Sequence, residues 1–295
     1  MVIIMPWIVN EGKFNNNVYL FDSFLYDAEY STAYFILQGT KKRALIDTSG
    51  PIEAKKFTKK IKKLNLIPDI LILTHSHWDH AGGTTVFQKE FPNIEVIAAK
   101  PAIESLQNNS KYNEGFSEII TDLDPVDNIT PVKEGDIIDL GGMELLIYET
   151  PGHTNCSISI LDQKNKILYL GDALGNLWPE FIFPPIMPPE FSQDKLLSTF
   201  NKVKEIDYSA IGFAHYGLLT EEAAKIFPTR AKFCYIFWRD FFVSLFERSH
   251  ITEDILKGFI DRLHELDAFY PEGKITYKML VAWVIKGLKS AGLIS

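Results

Sequence analysis

Along the first two-thirds of the chain, short aliphatic and β-branched runs alternate with turn residues and with stretches whose apolar positions recur at helical spacing. The segment "STAYFILQGTKKRALIDTSG" reads as a hairpin, Tyr34 to Leu37 and Ala44 to Asp47, joined by a turn at Gln38 to Lys42. In "IEAKKFTKKIKKLNL", Phe57, Ile61 and Leu64 stand at i, i+4 and i+7 with lysines on the other face, which predicts an amphipathic helix with a solvated basic side. "DILILTH" predicts a short strand buried on both faces. A helix around Thr84 to Glu90, the strand "IEVIAA", a helix from Pro101 and the strands "MELLIYET", "CSISIL" and "KILYLGD" come next. "NLWPEFIFPPIMPPEFS" then sets five prolines among four aromatics, which predicts no regular structure. A helix near Asp194 to Lys204 and the strand "SAIGFAH" close this part.

The texture changes after Thr220. Thr220, Glu221 and Glu222 have the chemistry of an N-cap and first turn, and the rest reads as helices only: Thr229 to Arg248, Thr252 to Leu266 and Thr276 to Ala291. The expected organisation is residues 1–220 as one catalytic α/β unit and 221–295 as a helical C-terminal region. Within that region, "KFCYIFWRDFFVSLFE" spreads seven aromatics over more than one helical face, which predicts burial on several sides and a homodimer that shares in it.

Composition narrows the function classes. No window approaches 18 uncharged apolar residues, so no membrane span is expected, and "MVIIMPWIVNEGKF" reads as a first strand rather than a signal peptide. Two cysteines, Cys156 and Cys234, build no disulfide framework, and a cytoplasmic setting is expected. The net charge of −8 argues against a general nucleic-acid binder, since phosphate contacts need clustered Lys and Arg.

The candidate chemistry lies in "LILTHSHWDHAGG", which holds three of the chain's seven histidines. Residues i and i+2 on an extended backbone point the same way, so His75 and His77 can bind one ion together. Asp79 and His80 follow after the chain turns and can face a second. Imidazole nitrogen and carboxylate oxygen suit zinc, iron or manganese, whereas burying four such groups unpaired would be costly. Three further candidates also stand at strand ends: His153 in "YETPGHT", Asp172 in "LYLGDALG" and His215 in "IGFAHYG". His250 and His264 lack that context. Cys156, without a base partner in the motif, is read as a small buried hydrophobe.

The series "HSHWDH", His153, Asp172 and His215 resembles the metallo-β-lactamase-fold hydrolase superfamily, in its glyoxalase II-like, zinc-dependent hydrolase branch. The resemblance covers about residues 1–220 and implies an αββα sandwich, two mixed sheets face to face with helices outside and a metal groove along one edge. It implies that His75, His77 and His153 hold one divalent ion and Asp79, His80 and His215 the other, with Asp172 bridging. Zinc is the first expectation, and iron and manganese suit the same ligands. Asp47, in "LIDTSG", matches a strand-end acid that supports the metal loop, and Asp79 is assigned a further catalytic part, orienting hydroxide or passing a proton.

Departures from individual branches shape the substrate expectation. Flavodiiron proteins resemble the first motif but carry an acid at the position of His77 and add a flavin domain. Glyoxalase II proteins bind glutathione through basic and tyrosine residues soon after the bridging aspartate, whereas here no Lys or Arg follows Asp172 until Lys195. Acyl-homoserine lactonases carry a tyrosine where this chain has Gly175. Trp178, Phe181 and Phe183, with Trp78 inside the metal motif, would instead wall an apolar pocket. The expected activity is hydrolysis of an ester, thioester or lactone of a small molecule with an apolar part. The alternatives are a phosphodiesterase and a non-hydrolytic iron redox or sensing protein.

Overall fold

The computed structural model describes residues 7–108, 116, 119, 123–178, 181–268 and 275–295. Two seven-stranded sheets lie at its centre. The first runs in chain order: β2 (Gly12–Lys13), β3 (Val18–Asp22), β4 (Ala33–Gln38), β5 (Arg43–Ile46), β6 (Ile70–Leu73), β7 (Glu95–Ala99) and β8 (Ile129–Val132). It is antiparallel as far as β5 and parallel from there to β8. The second sheet has the order β1 (Trp7–Ile8), β16 (Leu218–Thr220), β15 (Ala210–Gly212), β12 (Ile167–Tyr169), β11 (Ile158–Asp162), β10 (Glu144–Glu149), β9 (Ile137–Asp139), with β12–β15 its one parallel pair.

Strand β12 shows the layering. Ile167 and Tyr169 enter the core between the sheets, while Leu168 and the following Leu170 face the helices on the other side. Both faces are dry, so the strand is aliphatic apart from the buried Tyr169, and each fully buried aliphatic side chain contributes about 1.5–3 kcal/mol. On the first sheet lie α1 (Pro51–Lys63), α3 (Thr84–Glu90) and α4 (Ala102–Gln107), α1 through Ala54, Phe57 and Ile61. The outer face of the second sheet shares one apolar cluster with α5 (Gln193–Glu205), α6 (Glu221–Arg248), α7 (Thr252–Glu265) and α8 (Tyr277–Ser290). The architecture is the expected αββα sandwich with helices at its C-terminal end. No helix of the described residues is long and apolar enough to cross a membrane.

Four expectations are corrected. Leu64 does not continue the inward face of α1: the helix ends at Lys63, Asn65 turns the chain with φ 56°, and Leu66 goes inside while Leu64 stays exposed. The third helix from the end begins at Glu221 rather than Thr229 and runs through Pro228, whose missing N–H costs one helical hydrogen bond while its ring is buried. Thr220 sits at its N-cap but makes no side-chain capping bond. The N-terminal segment forms two short strands in different sheets, β1 and β2, and residues 1–6 of that reading lie outside the described residues. The proline-rich segment contains a small hairpin, β13 (Asn176–Leu177) with β14 (Ile182–Phe183).

The aromatic excess of α6 is taken up largely within the chain: Tyr235, Trp238, Phe242 and Phe246 are buried. Phe233, at 73% exposure, and Phe237 remain outside, and the dimer expectation rests on them.

Candidate metal centre

Each candidate ligand is delivered by a strand that ends at the same edge of the sandwich. β6 carries His75; the chain then bends so that His77 caps α2 (Trp78–Ala81), and Asp79 and His80 ride on that single turn of helix. Gly83 allows the turn to sit down: a Cβ there would lie 2.4 Å from the Ala54 Cβ and 2.7 Å from the Thr48 carbonyl oxygen. His153 follows β10, Asp172 follows β12 and His215 follows β15. Gly171, at φ +55°, lets the Asp172 turn pack on Thr74, the residue before His75, where a Cβ would come within 2.9 Å of the Thr74 Cβ.

These seven side chains converge. Three overlapping groups present donor atoms within 4.8 Å of one another: His75, His77 and His153; His75, His80 and Asp172; Asp79, His80 and His215. Asp172 stands between the first and last groups. Its Oδ2 is 3.6 Å from His153 Nε2, 3.5 Å from His80 Nε2 and 3.2 Å from His215 Nε2. His77 Nδ1 faces His153 Nε2 at 2.8 Å. Asp79 Oδ2 lies 3.5 Å from His80 Nε2 and 3.6 Å from His215 Nε2.

The outward nitrogens show why the inward ones are ready for a cation. His80 Nδ1 donates to Asp47 Oδ2 (3.0 Å), His153 Nδ1 to the Pro185 carbonyl (3.1 Å) and His215 Nδ1 to the Ser31 carbonyl (2.6 Å). The Thr74 hydroxyl donates to Asp47 Oδ2, so His75 Nδ1 donates to Thr74 Oγ1 (3.1 Å). With a proton fixed on Nδ1, each ring aims Nε2 into the cluster, and it offers a lone pair there once that nitrogen is deprotonated, as cation binding requires. Asp47, left-handed at φ 59°, also accepts the Thr74 backbone N–H, so one buried carboxylate braces the rings of His75 and His80.

Electrostatics divides the cluster. Burial, reinforced by neighbouring imidazoles, holds His75 well below the usual histidine range and His77 at about 3. Burial also lowers His153. Burial pulls His80 and His215 the same way, but Asp79 and Asp172 override it for His80, and Asp172 does so first for His215, leaving both raised. Conversely, burial raises Asp79 and Asp172, but His80 and His215 outweigh it, bringing Asp79 to about 2 and Asp172 well below the carboxylate range.

Whether these residues fit metal ions is tested by their unmet atoms. His75 Nε2, His80 Nε2 and Asp172 Oδ1 are buried with no hydrogen-bond partner. Three such atoms pointing into one cluster of imidazoles and carboxylates fit divalent cations and nothing apolar. Among the histidines outside the cluster, His250 packs on Phe246, and neither it nor His264 belongs to a donor group. Cys156 is buried, its Sγ 3.1 Å from Ser76 Oγ, and burial pushes its thiol pKa up.

A cleft open to solvent runs past His77, Asp79, His153, Asp172 and His215. Trp78, Trp178 and Phe183 line it as the sequence suggested. Phe181 does not: α6 covers it, with its ring 6.0 Å from that of Trp238. Sequence reasoning missed Tyr26, Glu29, Phe116, Leu280 and Trp283, which also line it. Tyr26 sits on a turn of left-handed residues (Phe24, Tyr26, Asp27 and Tyr30), its ring 5.5 Å from Trp78. A cluster of aromatic and acidic letters between two strands was the available signal, and no motif marks it.

The comparisons with known proteins bear on the family and the fold. The family profile for the metallo-beta-lactamase superfamily matches residues 26–215. The metallo-beta-lactamase fold-containing protein ST1585 of Sulfurisphaera tokodaii is 26% identical over 206 residues, 65% of this chain and 75% of that one. The hydroxyacylglutathione hydrolase GloC of Haemophilus influenzae is 30% identical over 45% of this chain, which spans less than two-thirds of that relative (62%). The crystal structure of archaeal ST1585 superposes with a TM-score of 0.59 at 18% identity, covering 90% of this chain and 94% of that one, and shows a shared fold.

Proposed function

The chain belongs to the metallo-beta-lactamase superfamily, and on that premise we propose that it is a dinuclear metal-dependent hydrolase acting on an ester, thioester or lactone bond of a small molecule with an apolar part. The observation that carries the reading is the position of Asp172 Oδ2, between His153 on one side and His80 and His215 on the other. His75, His77 and His153 would hold one divalent ion and Asp79, His80 and His215 the second, with Asp172 shared. Zinc is the first expectation for both. Two such ions supply a water acidified towards a pKa of ~7 and a Lewis acid for an acyl oxygen.

The chain's own residues do the rest. Asp79 is the most accessible of the candidate carboxylates, with 16% of its side chain exposed against 6% for Asp172. It stands where a carboxylate can orient an attacking water and accept its proton. Asp47, through His80 and Thr74, fixes ring orientation. Trp78, Trp178 and Phe183 exclude water from the acyl side of the cavity. Among the described lining residues there is no Lys or Arg, and outside the donor groups the charged side chain is Glu29, which favours a neutral apolar acyl group over an anionic carrier.

The test is a matched panel of thioester, lactone, aryl ester and aryl phosphodiester, assayed with metal-loaded and chelator-stripped protein. Metal-dependent turnover of the first three above the fourth supports the proposal. A preference for the phosphodiester replaces it with phosphoryl chemistry, and the absence of metal-dependent turnover moves the weight to a redox or sensing role, decided by iron content.

A further inference from the structure

The outward face of α6 carries a pattern that packing within the chain does not use. Phe233 is 73% exposed and Phe237 37%, although Tyr235 between them is buried. On a helix that advances ~100° per residue, these two rings flank the line opposite Tyr235. Arg230 and Asp240 lie on the same face and are exposed, as are Glu222 and Arg248 further out. On one flank, the Arg262 guanidinium of α7 lies 5.9 Å from the Phe237 ring and 5.3 Å from that of Phe241.

These residues are paired about one point. Phe233 and Phe237 stand two residues either side of Tyr235, Arg230 and Asp240 five, and Glu222 and Arg248 thirteen. When two copies of a helix pack antiparallel across a twofold axis, each residue faces the position mirrored through that axis. With the axis level with Tyr235, Phe233 of one copy meets Phe237 of the other and Arg230 meets Asp240, each contact being made twice. In that register no charged residue of the helix faces a like charge. Asp240 pairs with Arg239 at 2.7 Å and still leaves 62% of its side chain exposed to an arriving guanidinium.

A second copy of the chain is the occupant this pattern fits. Two chains of net charge −8 repel at long range, so self-association needs local pairs of opposite sign. A lipid surface selects a polar face rich in Lys and Arg, whereas charges of both signs flank Phe233 and Phe237. An aromatic centre inside a polar rim is also the anatomy of a specific interface. We propose that the chain forms an isologous dimer through α6, with Phe233 and Phe237 of the two copies at its centre and reciprocal Arg230–Asp240 pairs fixing its register. Dimerisation does not depend on the hydrolase chemistry. On the inner side of the same helix Trp238 packs 6.0 Å from Phe181, so the interface stands behind the hairpin whose Phe183 lines the cleft.

The experiment measures the mass of the full chain by sedimentation and light scattering from about 1 to 100 μM. Wild type should reach the mass of two chains, and Phe233→Glu that of one. Charge reversal then tests the register. Arg230→Asp sets like charges against Asp240 of the other copy, and Asp240→Arg sets them against Arg230. Each alone should raise the dimer dissociation constant at least about tenfold. Mixed in equal amounts, the two variants present opposite signs at both contacts, and their heterodimer should form within about threefold of the wild-type affinity.

All three substitutions fall at exposed positions, so circular dichroism should match wild type. Should a reversal variant misfold, Phe233→Glu decides alone. A wild type that stays monomeric overturns the proposal, and its co-sedimentation with phosphatidylglycerol vesicles would assign the face to a lipid surface instead. A dimer indifferent to both reversals, or a mixture that stays monomeric, overturns it equally.

Discussion

Asp47 grips His80: its Oδ2 accepts the His80 Nδ1–H at 3.0 Å, both side chains are buried, and the same carboxylate holds Thr74 through two further hydrogen bonds. One acid at the end of β5 thus sets the tautomer of a ring on the next loop and, through Thr74, steadies His75. Such outer partners typically contribute 10–100-fold in metal affinity. Asp47→Asn keeps the shape and removes the charge, so metal affinity in chelator competition should fall by about 10–100-fold with the fold retained.

Asp79→Ala removes the most accessible candidate carboxylate and leaves the buried scaffold alone. The rate of ester hydrolysis should fall by about 10²–10⁴-fold, while circular dichroism and the melting temperature stay near wild type. Wild-type rates in this variant would remove Asp79 from the mechanism.

Gly83→Ala tests the seating of α2. The new methyl would meet the Ala54 Cβ at 2.4 Å and the Thr48 carbonyl oxygen at 2.7 Å, with backbone and helix on both sides unable to yield cheaply. Denaturant unfolding should show a loss of about 1–3 kcal/mol.

Much of the centre was legible in the sequence, because metal chemistry demands particular side chains at strand ends. His75, His77, Asp79, His80, His153, Asp172 and His215 all lie in the one cluster. The cavity was only half legible. Trp178 and Phe183 come from the segment beside Asp172, but Trp283 occupies a buried helical position that any core tryptophan could fill, and Tyr26 lies on a turn with no motif. Some elements were hidden for local reasons. β8 carries Pro131 at a sheet edge, and α6 continues through Pro228, which breaks the pattern a helix start is read from.

Asp22 gives a pH prediction away from the metal ligands. Its carboxylate accepts the backbone N–H groups of Phe24 and Tyr30, at the two ends of the turn that presents Tyr26. Burial pushes its pKa up to about 6, against those two hydrogen bonds. A raised carboxyl binds its proton more tightly in the folded state, so its contribution to stability is full below the unfolded pKa of ~3.9 and is lost as pH rises through about 6. Asp22→Asn has no proton to lose. The stability of the variant relative to wild type should therefore improve by about 1–2 kcal/mol between pH 4 and pH 7, a range discounted for partial solvent access. A pH-independent difference would contradict the shift.

The most direct measurement is metal stoichiometry. After equilibration with zinc and removal of free ion, elemental analysis should find two zinc ions per wild-type chain. His153→Ala and His215→Ala, each missing a ligand of one proposed site, should retain about one. No bound zinc, or equal content in all three proteins, would contradict the dinuclear centre.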